Sequence, residues 1–124
     1  MRVPHISDAE WDVMRIVWLQ SPLTSAEIIE QLSSGKTWNP KTVRTLISRL
    51  VQKKALGCNK DSKEYKYFPL VEESECVKAE SLSFLNRIFG GSLKPMMAHF
   101  IENGKLTPED ILDLKAMIKE KEQK

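Results

Sequence analysis

The sequence predicts a mainly α-helical protein with one small β-hairpin, and three observations support this fold class. Motifs that begin helices recur along the chain, the apolar residues after them follow a period of 3.6, and one short stretch alternates with a period of two. The 124 residues suffice for one domain, or for one small domain with an appended segment. The order of these signals predicts three helices, then the hairpin, then further helices.

Four helix starts are visible in the chain. Ser7-Asp-Ala-Glu10 and Thr24-Ser-Ala-Glu27 are capping boxes, in which a hydroxyl and a carboxylate bind free backbone N–H groups of the first turn. Asn39-Pro40 supplies a cap and a first-turn proline, and Thr107 begins a late helix. Apolar staple pairs flank all four starts: Ile6 and Trp11, Leu23 and Ile28, Trp38 and Val43, Leu106 and Ile111. The first three starts predict helices at about 8–20, 25–33 and 40–53, separated by Pro22 and by Ser33-Ser-Gly35.

The period changes to two after the third helix. Leu56, Cys58 and Lys60 alternate, and Asp61-Ser62 supplies a turn after them. The residues from Glu64 to Phe68 form an aromatic strand that ends at Pro69. Three helices followed by a hairpin form the winged helix-turn-helix arrangement, in which the hairpin is the wing. The sequence therefore predicts a winged helix-turn-helix domain over residues 1–70, followed by a helical segment over residues 71–124.

The segment 71–124 has a helical pattern throughout. Helices are predicted at about 73–89, from Ser92 as a cap to about 103, and at about 108–121, with stops at Gly90-Gly91 and Asn103-Gly104. Three short helices have little core of their own, so they pack either on the first domain or against a second copy of the chain. We favour a homodimer. The residues expected at its interface are apolar: Phe84, Leu85, Ile88, Met96, Met97, Phe100, Ile101, Ile111, Leu114 and Ile118.

Charge is distributed unevenly along the chain. The formal net charge is only +2, from 19 Lys and Arg against 17 Asp and Glu. Residues 36–66, however, carry nine Lys and Arg against two acids, whereas residues 71–124 carry eight against ten. Such segregation predicts two roles in one chain, with a polyanion as partner of the basic part.

The residues of the third helix indicate which kind of polyanion the basic part binds. Its apolar residues fall at i, i+3, i+4 and i+7, which leaves the other face to basic and hydroxyl side chains. Such a face suits the major groove of double-stranded DNA, because Arg can bind a guanine edge and a Thr methyl can contact thymine. The predicted DNA contacts are Lys41, Thr42, Arg44, Thr45, Ser48 and Arg49 on this helix, with Lys60, Lys63 and Lys66 of the wing on phosphates.

Composition excludes several other classes. No apolar run reaches the ~18 residues of a membrane helix, and no signal peptide is visible, so we expect a cytoplasmic protein without membrane insertion. Two cysteines form no C-x-x-C pair, and the five glycines form no nucleotide-binding loop. No cluster of nucleophile, base or metal ligands is present, so neither a catalytic residue nor a cofactor or metal is predicted.

The residues resemble a known family. Ile6-Ser-x-Ala-Glu-Trp-x-Val-Met14, then Trp38-x-Pro-Lys-Thr-Val-Arg-Thr-Leu-Ile-x-Arg-Leu50, then Tyr65-x-Tyr67, are similar to the penicillinase-repressor family, the BlaI/MecI group. Val71-Glu-Glu-Ser74 and Phe84-Leu-Asn-Arg87 are also similar to that family, so the likeness covers nearly the whole chain. It implies a dimeric repressor of β-lactam-resistance genes that binds an inverted-repeat operator. It also implies inactivation by proteolytic cleavage, through a pathway that begins at a membrane-bound sensor-protease.

Two positions depart from the family pattern. Lys54 stands where the family usually has Gly, so it either adopts a left-handed conformation or the third helix continues by a residue. The family's cleavage site, typically an Asn-Phe bond, aligns with His99-Phe100. The copper-responsive relatives carry a C-terminal Cys-x-Cys cluster, and this chain has no cysteine after Cys76.

Three alternatives stay open at this stage. The chain could repress another regulon, or its winged helix could bind a protein rather than DNA. A metal- or redox-sensing repressor would need Cys58, Cys76, His5 or His99, whose spacing gives no metal-ligand pattern. Salt dependence separates DNA binding from binding of a protein partner, because DNA binding releases counterions and therefore weakens steeply as salt is added.

Overall fold

The structure is a computed structural model that describes residues 3–34, 37–61 and 63–123. Its elements are, in chain order, α1 (Asp8–Leu19), β1 (Leu23–Thr24), α2 (Ser25–Leu32), α3 (Pro40–Gln52), β2 (Leu56–Asn59), β3 (Lys66–Pro69), α4 (Glu73–Phe89), α5 (Leu93–Glu102) and α6 (Pro108–Glu122). All six predicted helices are confirmed. Gly35, Lys36 and Ser62, which the sequence predictions used, lie outside the described residues. The chain separates into two compact units, Met1–Glu80 and Ser81–Lys124.

Local capping explains why the helices begin where they do. In α1 the Ser7 N–H donates to Glu10 Oε1 over 2.9 Å, and the Glu10 N–H donates back to Ser7 Oγ over 3.3 Å. The same reciprocal box begins α2 at Thr24 and α6 at Thr107. Ser92 occupies the cap position of α5 but makes no capping bond, so the predicted cap is wrong in its chemistry. The third residue of α5 is Pro95, which has no N–H for the hydroxyl to accept.

The core of the first unit lies between α1, α2, α3 and the sheet. Its central side chains are buried and apolar: Val13, Met14 and Val17 from α1, Ile28 from α2, Val43, Leu46, Ile47 and Leu50 from α3, and Leu56 from β2. The predicted apolar stripe of α3 is therefore confirmed residue by residue. Its burial fixes which face of α3 remains outside.

The wing belongs to a three-stranded antiparallel sheet in the order β1-β3-β2. The predicted hairpin is present as β2 and β3, with Cys58 opposite Tyr67. The prediction missed β1, in which Leu23 pairs with Tyr67. A two-residue strand has no alternation to detect, and its pairing joins residues far apart in sequence. Lys60 and Tyr65, which the pattern placed in strands, lie in the connection between β2 and β3.

A tight turn joins α3 to β2. The Ala55 N–H donates to the Leu50 carbonyl over 2.9 Å, and the Lys54 N–H donates to the Val51 carbonyl over 3.0 Å, which is the hydrogen-bond pattern of a Schellman cap. Lys54 adopts the left-handed conformation with φ of 66°, so the first of the two alternatives for Lys54 is correct. This conformation costs a non-glycine residue about 1 kcal/mol. Ala55 is fully buried next to it and fixes the turn.

An ion pair crosses the core edge from α1 to the end of α3. The Glu10 carboxylate is 1% exposed and binds the ammonium of Lys53, which also donates to the His5 carbonyl over 3.0 Å. Burial alone would raise the pKa of Glu10. The hydrogen bonds from Lys53 and Ser7, together with the charge of Lys53, outweigh burial and hold that pKa below its ordinary value of 4.5.

Glu10→Gln is expected to lower the free energy of unfolding by about 1–3 kcal/mol at neutral pH, because Lys53 then lacks its charged acceptor. A depressed pKa stabilises the folded state above the unfolded value of 4.5, and this contribution is lost as the pH falls through the folded pKa. The difference in free energy of unfolding between wild type and Glu10→Gln should therefore shrink below about pH 4.5. Urea unfolding at several pH values measures this difference. Glu27→Gln is the matched control, because Glu27 has the same capping role but is exposed, and it should cost less.

The second unit contains the end of α4, α5 and α6. Gly90 and Gly91 end α4 and Gly104 follows α5, all with positive φ, as the predicted stops require. Phe89 of α4 stacks against His99 of α5, with their ring centroids 6.4 Å apart. Within the described residues 81–123 no side chain is buried. The unit is helical but has no closed core of its own.

Candidate nucleic-acid interface

The outer face of α3 carries the predicted recognition residues. Every one of them is exposed, on the side away from the buried stripe: Lys41, Thr42, Arg44, Thr45, Ser48 and Arg49. The face includes three cations and no acid. The helix start is fixed by Asn39, whose side-chain oxygen accepts from the Lys41 N–H over 2.8 Å. A rigid, basic and hydroxyl-rich helix face is the arrangement that enters a major groove.

The hydroxyl group of Thr45 is already hydrogen-bonded within α3. Its hydroxyl donates to the Lys41 carbonyl one turn earlier over 3.0 Å. The hydroxyl proton is thus used within the helix, and Thr45 offers a neighbouring molecule its methyl group and its remaining oxygen lone pair. This suits a contact with a thymine methyl better than a bond to a phosphate oxygen, which needs a donor.

The wing brings three further cations to the same unit. Lys60 and Lys63 lie in the connection between the strands, and Lys66 begins β3 opposite Asn59; all three are exposed. The ammonium of Lys60 lies 5.8 Å from the centre of the Tyr65 ring, which favours one position of this long side chain.

Two of the basic residues are electrically compensated within the protein. Lys53 is paired with Glu10, so its charge is used in the fold. Hydrogen bonds from the backbone and hydroxyl of Thr24 lower the pKa of Glu27, and the nearby charge of Lys66 lowers it further. Lys66 therefore has an acidic neighbour on α2. The sequence pattern could not reveal either compensation, because both acids lie more than thirty residues away in the chain.

The chain matches a known protein family over most of its length. The model of the penicillinase repressor family matches residues 6–120. The chain belongs to the penicillinase repressor family. This confirms the resemblance drawn from the motifs, and it confirms the prediction of a non-enzymatic protein, because the family is one of transcriptional repressors.

Curated relatives match along nearly the whole chain. The penicillinase repressor of Bacillus licheniformis is 40% identical over 119 residues, which cover 96% of this chain and 93% of that protein. The methicillin resistance regulatory protein MecI of Staphylococcus aureus (strain N315) is 37% identical over 117 residues, covering 94% and 95%.

Solved structures match 60% of the chain. The solution structure of the DNA-binding domain of the repressor BlaI has a TM-score of 0.54 at 40% identity and covers 60% of this chain and 90% of that one. The solution structure of the monomeric form of Bacillus licheniformis BlaI in complex with the blaP half-operator has a TM-score of 0.53, with the same identity and coverage. The winged-helix fold class is confirmed by these similarities.

The remaining predicted site residues lie in the second unit. His99 and Phe100 are consecutive residues of α5, where the His99 carbonyl accepts from the Asn103 N–H over 3.1 Å. Some predicted interface residues are strongly exposed, among them Ile88, Ile101 and Ile118. Others are half-buried: Leu85, Met96, Met97, Phe100 and Leu114. Phe84 and Ile111 lie close to the boundary between the two groups, at 37% and 36% exposure.

Sequence reasoning missed several residues of these surfaces. Leu82, Leu93, Leu112 and Met117 are large apolar side chains of the second unit and are at least half exposed. A count of all large apolar residues beyond residue 80 would have found them. Tyr65, exposed beside Lys60, was assigned to a strand rather than to the wing connection.

In the part of the chain that the structure describes, no group of three or more His, Cys, Asp or Glu side chains could hold a metal ion. Among the same residues, no helix is both long and apolar enough to cross a membrane.

Proposed function

We propose that this chain is a homodimeric transcriptional repressor of β-lactam-resistance genes, acting in the cytoplasm on an inverted-repeat operator. Each protomer places α3 in the major groove and sets the wing lysines on flanking phosphates. The observation that carries this proposal is the exposed, acid-free face of α3 in a chain whose relatives are a penicillinase repressor and MecI. The relative solved with the blaP half-operator supports the same assignment for the first unit.

The second unit supplies the dimer contact in this proposal. Nine large apolar side chains beyond residue 80 are at least a third exposed, and no described residue there is buried. Monomeric proteins rarely expose so much apolar surface, and a two-fold dimer would cover the same face on both protomers. In this proposal residues 1–70 bind DNA, and residues 71–124, which include the whole second unit, dimerise.

Release from DNA follows cleavage between His99 and Phe100 in this proposal, downstream of a membrane sensor-protease pathway. The bond lies inside α5, and a protease must take its substrate in an extended form. Cleavage therefore requires α5 to open locally, which couples the cut to the stability of the dimer.

Arg44→Ala and Lys41→Ala test the recognition face. Each should weaken binding to a duplex carrying the blaP half-operator by about 1–3 kcal/mol, because each removes a charged donor from the exposed face. A base contact should relax preference at one base pair, whereas a phosphate contact should weaken all sequences alike. Fluorescence anisotropy with single-base variants of the duplex separates the two.

Arg15→Ala is the matched control, because Arg15 is an equally exposed arginine on α1. It should bind the duplex as wild type does. If Arg44→Ala and Lys41→Ala bind as tightly as Arg15→Ala, α3 is not the recognition helix. A protein-interaction role for the winged helix would then replace the present proposal.

A further inference from the structure

The start of α4 is attached to the first unit by contacts that the DNA-binding face does not use. The Trp18 indole nitrogen, on α1, donates to the Val71 carbonyl over 3.0 Å, just before α4 begins. Cys76, in the first turn of α4, is 2% exposed and belongs to the hydrophobic core of the first unit. Val71 packs against the same core.

Beyond this attachment α4 is mostly exposed. Val77, directly after Cys76, is already 48% exposed, and Lys78 and Ala79 are exposed as well. The helix nevertheless continues without a break to Phe89, past residue 80, where the first unit ends. The residues that follow Cys76 therefore continue as a helix, and a helix is stiffer than a flexible coil.

We propose that Trp18 and Cys76 are positioning residues for operator binding, which hold the start of α4 on the DNA-binding unit and so strengthen binding to a two-half-site operator without touching DNA. The inference rests on the proposed dimer. In a dimer, binding of the second half-site is effectively intramolecular, and its strength depends on how narrowly the connection restricts the two DNA-binding units. Loosening the first turn of α4 lengthens the flexible part of that connection and lowers the effective concentration.

Trp18→Phe tests the inference, because it removes the indole N–H and keeps an aromatic ring. Two probes are compared: a duplex with one blaP half-operator, and a duplex with two inverted copies at the spacing that the wild-type chain binds most tightly. We expect the dissociation constant for the double site to rise about tenfold, and that for the single site to stay within about twofold. Sedimentation should still find a dimer.

Trp11→Phe is the matched control. The Trp11 ring lies 5.4 Å from that of Trp18 on the same helix, and no indole hydrogen bond of Trp11 occurs among the described residues. It should leave both dissociation constants unchanged. Trp18→Phe overturns the inference if it is a folded dimer with wild-type affinity for the double site, or if it weakens both duplexes by the same factor.

A second variant decides the matter if Trp18→Phe does not fold. Lys78→Gly with Ala79→Gly softens α4 directly after its attachment, whereas the control Lys78→Ala removes the same exposed side chain and keeps the helix. Only the α4 glycine pair should weaken the double site selectively while the protein stays dimeric. Wild-type affinity in the α4 pair overturns the inference. A monomeric wild-type chain in sedimentation would instead overturn the proposed dimer itself.

Discussion

Cutting the chain between His99 and Phe100 is expected to weaken binding to a double-site operator by at least about a hundredfold, while binding to a single half-site stays the same. The cut divides α5 three residues before its end and removes α6, so the fragment 1–99 loses much of the exposed apolar surface of the second unit. The first unit keeps its own buried core, which contains no residue beyond Cys76. The fragment should therefore remain a folded winged helix and become monomeric.

Sedimentation and anisotropy on the two duplexes measure this effect. Phe100→Ala should weaken double-site binding by the intact chain, but less than the cut does. Phe100 is half-buried in the single chain and would be covered in the proposed dimer, where removing a buried Phe costs about 3–5 kcal/mol in each protomer. A fragment that stays a tight dimer and holds the double site like the intact chain would end the cleavage switch. Release would then depend on an effector or on a cut elsewhere.

Inserting about five base pairs between the two half-sites is expected to abolish tight binding of the intact protein. Half a helical turn places the second half-site on the opposite side of the duplex, where a two-fold symmetric dimer cannot reach it without deforming. Only single-site affinity should remain, which corresponds to a loss of about 10²–10⁴ in apparent affinity.

The control is an insertion of about ten base pairs, which restores the face of the duplex and changes only the distance. Part of the lost affinity should return with this insertion. Equal affinity for the original operator and the five-base-pair insertion would contradict a rigid symmetric dimer. It would favour flexibly connected DNA-binding units instead.

Local chemistry explains how much of the fold the sequence could predict. A capping box needs only residues three apart, so Ser7 with Glu10 and Thr24 with Glu27 marked helix starts that the structure confirms. The stripe of α3 is equally local, and it identified the exposed basic face of this helix without any tertiary information.

The features that the sequence could not predict are non-local. Strand β1 is only two residues long and exists because Leu23 pairs with Tyr67, 44 positions later. The sequence predicts Glu10 only as a helix cap. In the structure its carboxylate is also buried against Lys53, 43 positions away, and so pairs the charge of one lysine of the basic stretch. The attachment of Trp18 to Val71 spans 53 positions and leaves no periodic signal.

The central claim is that the exposed face of α3 and the wing bind a specific DNA sequence. The most direct measurement is the affinity for the blaP half-operator and for a scrambled duplex of equal composition, across a series of salt concentrations. Five exposed cations, Lys41, Arg44, Arg49, Lys60 and Lys63, predict a slope of log K against log salt of about −4.5 if each contacts one phosphate. We expect tighter binding to the half-operator at every salt concentration. Equal affinity for the two duplexes, or binding that does not change with salt, would contradict the claim.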